Sequence, residues 1–243
     1  MATDIQANIQ FSDGTFAVLR KEGASQNTVE SLPTGGTGLN QASGIEVGVA
    51  YPGKVAVAAS IQVITDSAST GGFSRGYFQG PDGKVLCNVQ GGGYVTTGLP
   101  ALLKPVRMAN GVTLRAVFDV AADDAAGTGC LAVYCSDGTA DNFSAVGVAD
   151  TKTAMTNKDG MTIGESLAGK RITHAYGTYS STHGVNDDGA GNSGLYIEDA
   201  QGQLKLMFPP GNGRTSSLMS PIQRFVVPIP ITQNDTLSIM TGS

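Results

Sequence analysis

Tryptophan is absent from these 243 residues, histidine occurs twice, and only 14% of positions are Asp, Glu, Lys or Arg. Each scarcity removes a class of chemistry. His174 and His183 leave little for a histidine-based mechanism, and neither has a Cys or carboxylate at metal-ligand spacing on a defined element, so no metal site is expected. Cys87, Cys130 and Cys135 are an odd number in a long chain, which argues against a disulfide framework. Cys130 and Cys135 stand five apart on a β-prone run and therefore face opposite ways, where they do not easily pair with each other. No apolar stretch approaches the roughly 18–20 residues of a membrane span, and the polar residues 1–10 contain no signal-peptide core. The expectation is a protein made in a cytoplasm, with no membrane partner. The net charge of −5, with 15 scattered Lys and Arg residues, has the wrong sign and the wrong clustering for nucleic acid.

What is present in excess is glycine, at 34 residues, about twice the usual share of roughly 7%. Glycine supplies the positive φ of tight turns, so frequent Gly among short apolar runs implies many short strands. Hydrophobic residues make up 40% of the chain, enough to bury cores. A single core serves roughly 100–150 residues, which leaves room for one large or two ordinary domains. A surface poor in charge is finished with Ser, Thr, Asn, Gln and Gly, and such a surface costs little to desolvate against another protein.

Four segments recur in the same order along the two halves. Ser12-Asp13-Gly14-Thr15 returns as Ser136-Asp137-Gly138-Thr139. Residues 45–54, IEVGVAYPGK, align with 161–170, MTIGESLAGK, placing Gly48 on Gly164 and Gly53-Lys54 on Gly169-Lys170. YFQGPDGKVL from Tyr77 faces YIEDAQGQLK from Tyr196, with Gly83 on Gly202, and Pro105 with Thr113-Leu114 faces Pro228 with Thr236-Leu237. The displacement drifts between segments, which fits loops of unequal length such as SLPTGGTGLNQASG in the first half. These matches predict an all-β chain of two tandem, internally duplicated β-sandwich or jelly-roll-like domains, residues 1–125 and 126–243, with about eight strands each. Alternation in KVAVAASIQVI places Val55, Val57 and Ala59 on one face and Ala56, Ala58 and Ser60 on the other. In RITHAYGTYS the same reading puts Ile172, His174 and Tyr176 together. No segment carries a sustained helical stripe; TKTAMTNKDGM has room for one helical turn.

The motif search returns turns and loops. His174 lies on an apolar strand face and reads as a packed side chain, His183 as a loop residue. Oxygen ligands crowd Asn186 to Asn192, yet no register puts Gly sixth and Glu twelfth as a calcium loop needs, and Asp119, Asp123 and Asp124 fall at the junction of the halves. Gly91 to Tyr94 and Gly211 to Ser217 lack the GK[ST] ending and following helix of a phosphate loop. Gly-x-Ser-x-Gly occurs once, at Gly72 to Gly76, where no helical stripe follows as a nucleophile elbow needs, and the adjacent Glu198 and Asp199 point to opposite faces, wrong for a glycosidase pair. The repeated Ser-Asp-Gly-Thr has the chemistry of a strand-joining turn. No catalytic, cofactor-binding or metal-binding residue is expected.

Taken together, the polar start, the Gly- and Ser/Thr-rich tandem β-domains, the few charges and the closing strand run VVPIPITQNDTLSIMTGS resemble virion structural proteins of tailed phages and related viruses. The resemblance implies a non-enzymatic capsid or cement (decoration) subunit, partnered by itself and by other virion proteins and located in the virion. The alternative is a carbohydrate-binding β-module such as a receptor-binding or tail-associated protein. There Tyr94, Tyr176 and Tyr179 would take the stacking role that Trp commonly fills.

Overall fold

In the structure, a computed structural model, residues 3–25, 28–35, 44–63, 72–91, 99–120, 127–146, 151–181, 194–208, 218–219 and 222–240 are described. The chain is all-β, with two short helical turns among the described residues. It divides into two compact units, Met1–Ser69 with Phe73–Asp119, and Thr70–Gly72 with Val120–Ser243. The chain thus passes from the first unit to the second at Asp119, a few residues before the expected junction.

The first unit contains β1 (Thr3–Phe11), β2 (Phe16–Ala24), β3 (Glu30–Ser31), α1 (Val47–Ala50), β4 (Val55–Val63), β5 (Gly72–Gln79), β6 (Val85–Gly91), β7 (Ala101–Arg107) and β8 (Thr113–Val120). Their sheet order is β2-β1-β4-β6-β5-β8-β3, with β7 on the remaining part of the β4 edge. A short parallel contact, Ser60 with Gln90 and Ile61 with Gly91, joins β4 to β6. Ile5, Ala7, Ile9, Phe11, Leu19 and Ile61 are buried, as period-2 alternation requires of a sheet with one core face. A Cβ on Gly76 of β5 would lie 2.4 Å from Ile61 Cδ1 of β4, so these two strands, on either side of β6 in the sheet order, meet in one core.

The second unit contains β9 (Gly127–Cys135), β10 (Ala140–Val146), β11 (Thr153–Ala154), α2 (Ile163–Leu167), β12 (Arg171–Ser181), β13 (Gly194–Glu198), β14 (Leu204–Phe208), β15 (Leu218–Met219), β16 (Gln223–Pro230) and β17 (Thr236–Met240). One sheet runs β10-β9-β12-β15 with β16 also on β12, the other β11-β17-β13-β14. Leu131, Val133, Phe143, Ile172 and Ala175 from the first sheet share one core with Met155, Leu195, Ile197, Phe208, Leu237 and Ile239 from the second. The hairpins β9–β10 and β13–β14 and the step from β15 to β16 along β12 stay within a sheet; the other connections between these strands cross from one sheet to the other.

The two units have matching pairings and registers. Phe11 pairs with Ala56 as Cys135 does with Ile172, and Ala56 with Val106 as Ile172 does with Ile229. Gly76 pairs with Val89 as Leu195 does with Phe208, and Glu30 with Ala116 as Thr153 does with Ile239. The register shifts agree too: Val57 on β4 and Thr173 on β12 are each skipped between consecutive ladder pairs.

That bulge corrects two expectations. In β4 the alternation slips by one, so Ala56, Ala59 and Ile61 are buried, instead of Val55, Val57 and Ala59 sharing a face. In β12, Ile172 and Ala175 enter the core, which puts His174 and Tyr176 on the other face from Ile172. The helical turn also falls elsewhere. Residues 157–161 form a hydrogen-bonded turn at Gly160, and the helix follows at Ile163–Leu167, with a second at Val47–Ala50.

Candidate contact surface

The repeated Ser-Asp-Gly-Thr closes the β1–β2 and β9–β10 hairpins. Gly14 and Gly138 both sit at φ +83°, and their N–H groups donate to the carbonyls of Phe11 and Cys135. Asp13 Oδ1 accepts from Thr15 N at 3.0 Å and Thr15 Oγ1 at 2.6 Å, while Lys54 Nζ donates to Asp13 Oδ2 at 2.9 Å and Thr15 Oγ1 at 2.6 Å. In the second unit Thr139 N donates to Asp137 Oδ1, and Lys170 Nζ donates to Asp137 Oδ2 and, at 2.9 Å, to Thr139 Oγ1. Thr15 and Lys54 hold the Asp13 carboxyl well below the usual carboxylate range, and Lys170 and Thr139 do the same to Asp137. Each clasp ties a hairpin to the lysine that opens the next long strand. It is a structural device, and the Ser12 and Ser136 N–H groups add a bond to the same strands, at Val55 O and Arg171 O.

Two buried polar groups belong to the second unit alone. Asp141 Oδ2 accepts from Ser166 Oγ at 2.5 Å and Asn157 Nδ2 at 2.9 Å, and Asp141 Oδ1 accepts from Asn142 N at 2.8 Å. This knot fastens α2 and the turn before it to β10. Asp235, buried in the turn between β16 and β17, accepts from Lys205 Nζ at 2.5 Å, Thr232 N at 2.9 Å and Thr232 Oγ1 at 2.8 Å. Burial raises the Asp235 pKa, and Lys205 and Thr232 outweigh it, so the net shift is downward. The corresponding positions in the first unit are Ala17, Thr34 and Ala50 for the knot, and Val112 and Leu86 for the pair.

The exposed feature common to both units is an arch at the sheet edge. On β12, Ile172 and His174 are separated by one residue, while their β16 partners Ile229 and Arg224 are separated by residues 225–228. On β4, Ala56 and Ala58 are separated by one residue, while their β7 partners Val106 and Ala101 are separated by residues 102–105. Four residues therefore leave the ladder at the same place in each unit, Leu-Leu-Lys-Pro in the first and Phe-Val-Val-Pro in the second. Adjacent residues of a regular strand face opposite ways. Val226 and Val227 are nevertheless 99% and 76% exposed, because the arch lifts both off the sheet. Leu103 is 37% exposed in the first arch. Pro105, Pro228 and Pro230 remove backbone donors from these edges, which blocks pairing with an added strand.

His174 is half-buried, with Nδ1 3.0 Å from Thr173 Oγ1. Cys130 and Cys135 do face opposite ways. The Cys130 thiol donates to Asn142 Oδ1 at 3.0 Å, and Cys135 lies in the core, where burial, with Asp137 adding to it, pushes its pKa up to about 11. None of the three cysteines forms a disulfide. Tyr176 is 1% exposed and offers no face for a sugar ring. Tyr94, the Tyr179 side chain, His183, Asp123, Asp124, Asn186 to Asn192 and Gly211 to Ser217 lie outside the described residues, as do Gly92 and Gly93. Among the described residues no three His, Cys, Asp or Glu side chains gather as metal ligands, and no helix is long and apolar enough to cross a membrane. Sequence reasoning missed the arches. Their signal was the proline-punctuated run RFVVPIP, with two adjacent valines where alternation calls for one polar residue. No known protein family, curated protein or solved structure matches the chain.

Proposed function

We propose that this chain is one β-domain written twice, and that it serves as a non-enzymatic structural subunit of a virion, an outer capsid or cement protein that holds a shell through repeated contacts with itself and with neighbouring virion proteins. The agreement of pairing register and bulge position between the two units supports the reading. A chain built this way offers two similar surfaces, so one subunit can occupy two similar environments in a lattice. The scarcity of charge supports it, because stable interfaces bury on the order of 1,200–2,000 Å² and do so best without stranding unpaired charges. The test is negative-stain microscopy of particles from the native source, labelled with gold-tagged antibody against this chain. Regular labelling of the particle surface is expected; particles that carry no label, with the protein free in the supernatant, would contradict the proposal.

A further inference from the structure

We propose that Asn110-Gly111, in the turn between β7 and β8, is a site of spontaneous covalent modification, where Asn110 cyclises onto the following amide nitrogen and reopens as aspartate or isoaspartate, and that the matching turn of the second unit resists this change. An Asx residue before glycine is prone to the reaction, because glycine has no side chain to obstruct attack by its own amide nitrogen. Five Asx-Gly pairs lie among the described residues, at Asp13, Asp82, Asn110, Asp137 and Asp159. In four of them the glycine N–H closes the turn: Gly14, Gly83, Gly138 and Gly160 donate to the carbonyls of Phe11, Gly80, Cys135 and Asn157. Asp13, Asp82 and Asp137 also accept from the backbone N–H two residues on. At Asn110 the closing donor falls one residue later, since the Val112 N–H donates to Ala109 O at 3.0 Å. Gly111 therefore stands at the third position of its turn, at a φ of +84°, with its N–H outside the closing bond. Asn110 is exposed, and neither residue makes a hydrogen bond to another described residue, so the peptide between them can turn without breaking one.

In the first step the Gly111 nitrogen loses its proton to solvent base and bonds to Asn110 Cγ, while the Cγ–Nδ2 bond breaks and Nδ2 takes up a proton and leaves as ammonia. Water then opens the cyclic imide. Cleavage of the new N–Cγ bond gives aspartate, and cleavage of the original peptide bond gives isoaspartate, whose main chain runs through Cγ and is one methylene longer. The turn is packed on two sides against such lengthening. The Gly48 N–H donates to Val112 O at 3.0 Å, and a Cβ on Gly48 would stand 2.0 and 2.7 Å from the Ala109 and Val112 carbonyl oxygens. A Cβ on Gly111 would lie 2.7 Å from Pro81 Cβ. Isoaspartate must therefore move the turn off α1 or off Pro81. With Thr113-Leu114 aligned on Thr236-Leu237, the second unit has Gln233-Asn234 in place of Asn110-Gly111. Glutamine has to close a larger, slower-forming ring. Asn234 is followed by Asp235, whose side chain obstructs the attack and whose N–H closes the turn on Thr232 O at 3.1 Å.

The experiment is peptide mapping by mass spectrometry of the full chain aged in mildly alkaline buffer, native and unfolded in urea, with fragmentation that separates aspartate from isoaspartate. Asn212-Gly213, outside the described residues, is read on its own peptide. Native Asn110 is expected to convert at least tenfold faster than Asn234, with isoaspartate among its products, and within about tenfold of its own rate in urea. Asn110→Gln, at an exposed position, should abolish conversion at that peptide. Amide exchange of the aged protein should quicken in peptides from α1 and β8 and stay unchanged in those from α2 and β17. An Asn110 that survives in the native protein while the urea-unfolded chain converts would overturn the proposal, because the fold then locks the turn. Equal conversion of native Asn110 and Asn234 would overturn the contrast between the units, and isoaspartate formation without faster exchange at α1 would overturn the displacement of the turn.

Discussion

Replacing Gly164 by alanine tests how closely the α2 turn is packed. A Cβ there would stand 2.4 Å from the Gln233 carbonyl oxygen and 2.7 Å from that of Asp235. Ordinary contact begins at 3.4 Å, so relief needs a displacement of about 1 Å of either the α2 turn or the β16–β17 turn. Neither is free to move. Lys205 and Thr232 hold Asp235, Ile163 and Leu167 anchor α2 in the core, and a capping box between Thr162 and Glu165 fixes its start. Overpacking against backbone costs about 1–3 kcal/mol, and we place Gly164→Ala at about 3 kcal/mol, a fall in Tm on the order of 10 °C for a unit of this size. Gly48→Ala should act alike in the first unit, where its Cβ would meet the Ala109 and Val112 carbonyls at 2.0 and 2.7 Å. Gly169→Ala is the control, since its φ of +79° is unfavourable for alanine but no atom lies within 4 Å, for a cost of about 1–2 kcal/mol. Calorimetry gives the stability loss. Amide exchange on peptides from β12 and β17, or from β4 and β8, shows which unit loosens. A Gly164→Ala protein that melts no lower than Gly169→Ala would refute the packing argument.

Asp141→Ala should lower stability by about 2–3 kcal/mol in denaturant titrations, because it removes the buried carboxylate that Asn157 and Ser166 share, whereas Ser166→Ala should cost about 1 kcal/mol. Asp235→Asn, which leaves Lys205 facing a neutral partner in a buried site, should cost about 3 kcal/mol by the same assay. The folded-state pKa values of Asp13, Asp137 and Asp235 lie below their unfolded values, so the stability they contribute is complete above the ordinary carboxylate range and is lost as pH falls through the lowered values. Tm should hold level from pH 7 to about pH 5 and drop below about pH 4, and the drop should shrink in Lys54→Ala/Lys170→Ala. Cys87, Cys130 and Cys135 should resist a maleimide in the native protein and react fully once it is unfolded.

The strands and their turns were legible because the residues that make them act locally. Asp13-Gly14, Asp82-Gly83 and Asp137-Gly138 set turns whatever surrounds them, and all three glycines take positive φ. The correspondence of Gly48 with Gly164 was visible as spelling, and its physical reason, close approach to a backbone turn, emerged only in three dimensions. The bulges at Val57 and Thr173 were hidden because a period-2 reading assumes an unbroken ladder, and the skipped residue is decided by the partner strand. The helical turns are four and five residues long, too short for a stripe, although Thr162-Ile-Gly-Glu165 spells a capping box. The Asp141 knot joins residues 141, 157 and 166, whose spacing carries no sequence pattern. The arches, the exposed feature common to both units, need knowledge of pairing that only the folded sheets supply.

Co-sedimentation of the purified chain with shells from its native source, alongside the chain alone at micromolar concentration, addresses the assembly role most directly. The expected result is saturable binding to the shells at a fixed number of copies per particle, with self-association in their absence. A strictly monomeric protein that leaves the shells bare at every concentration would contradict it.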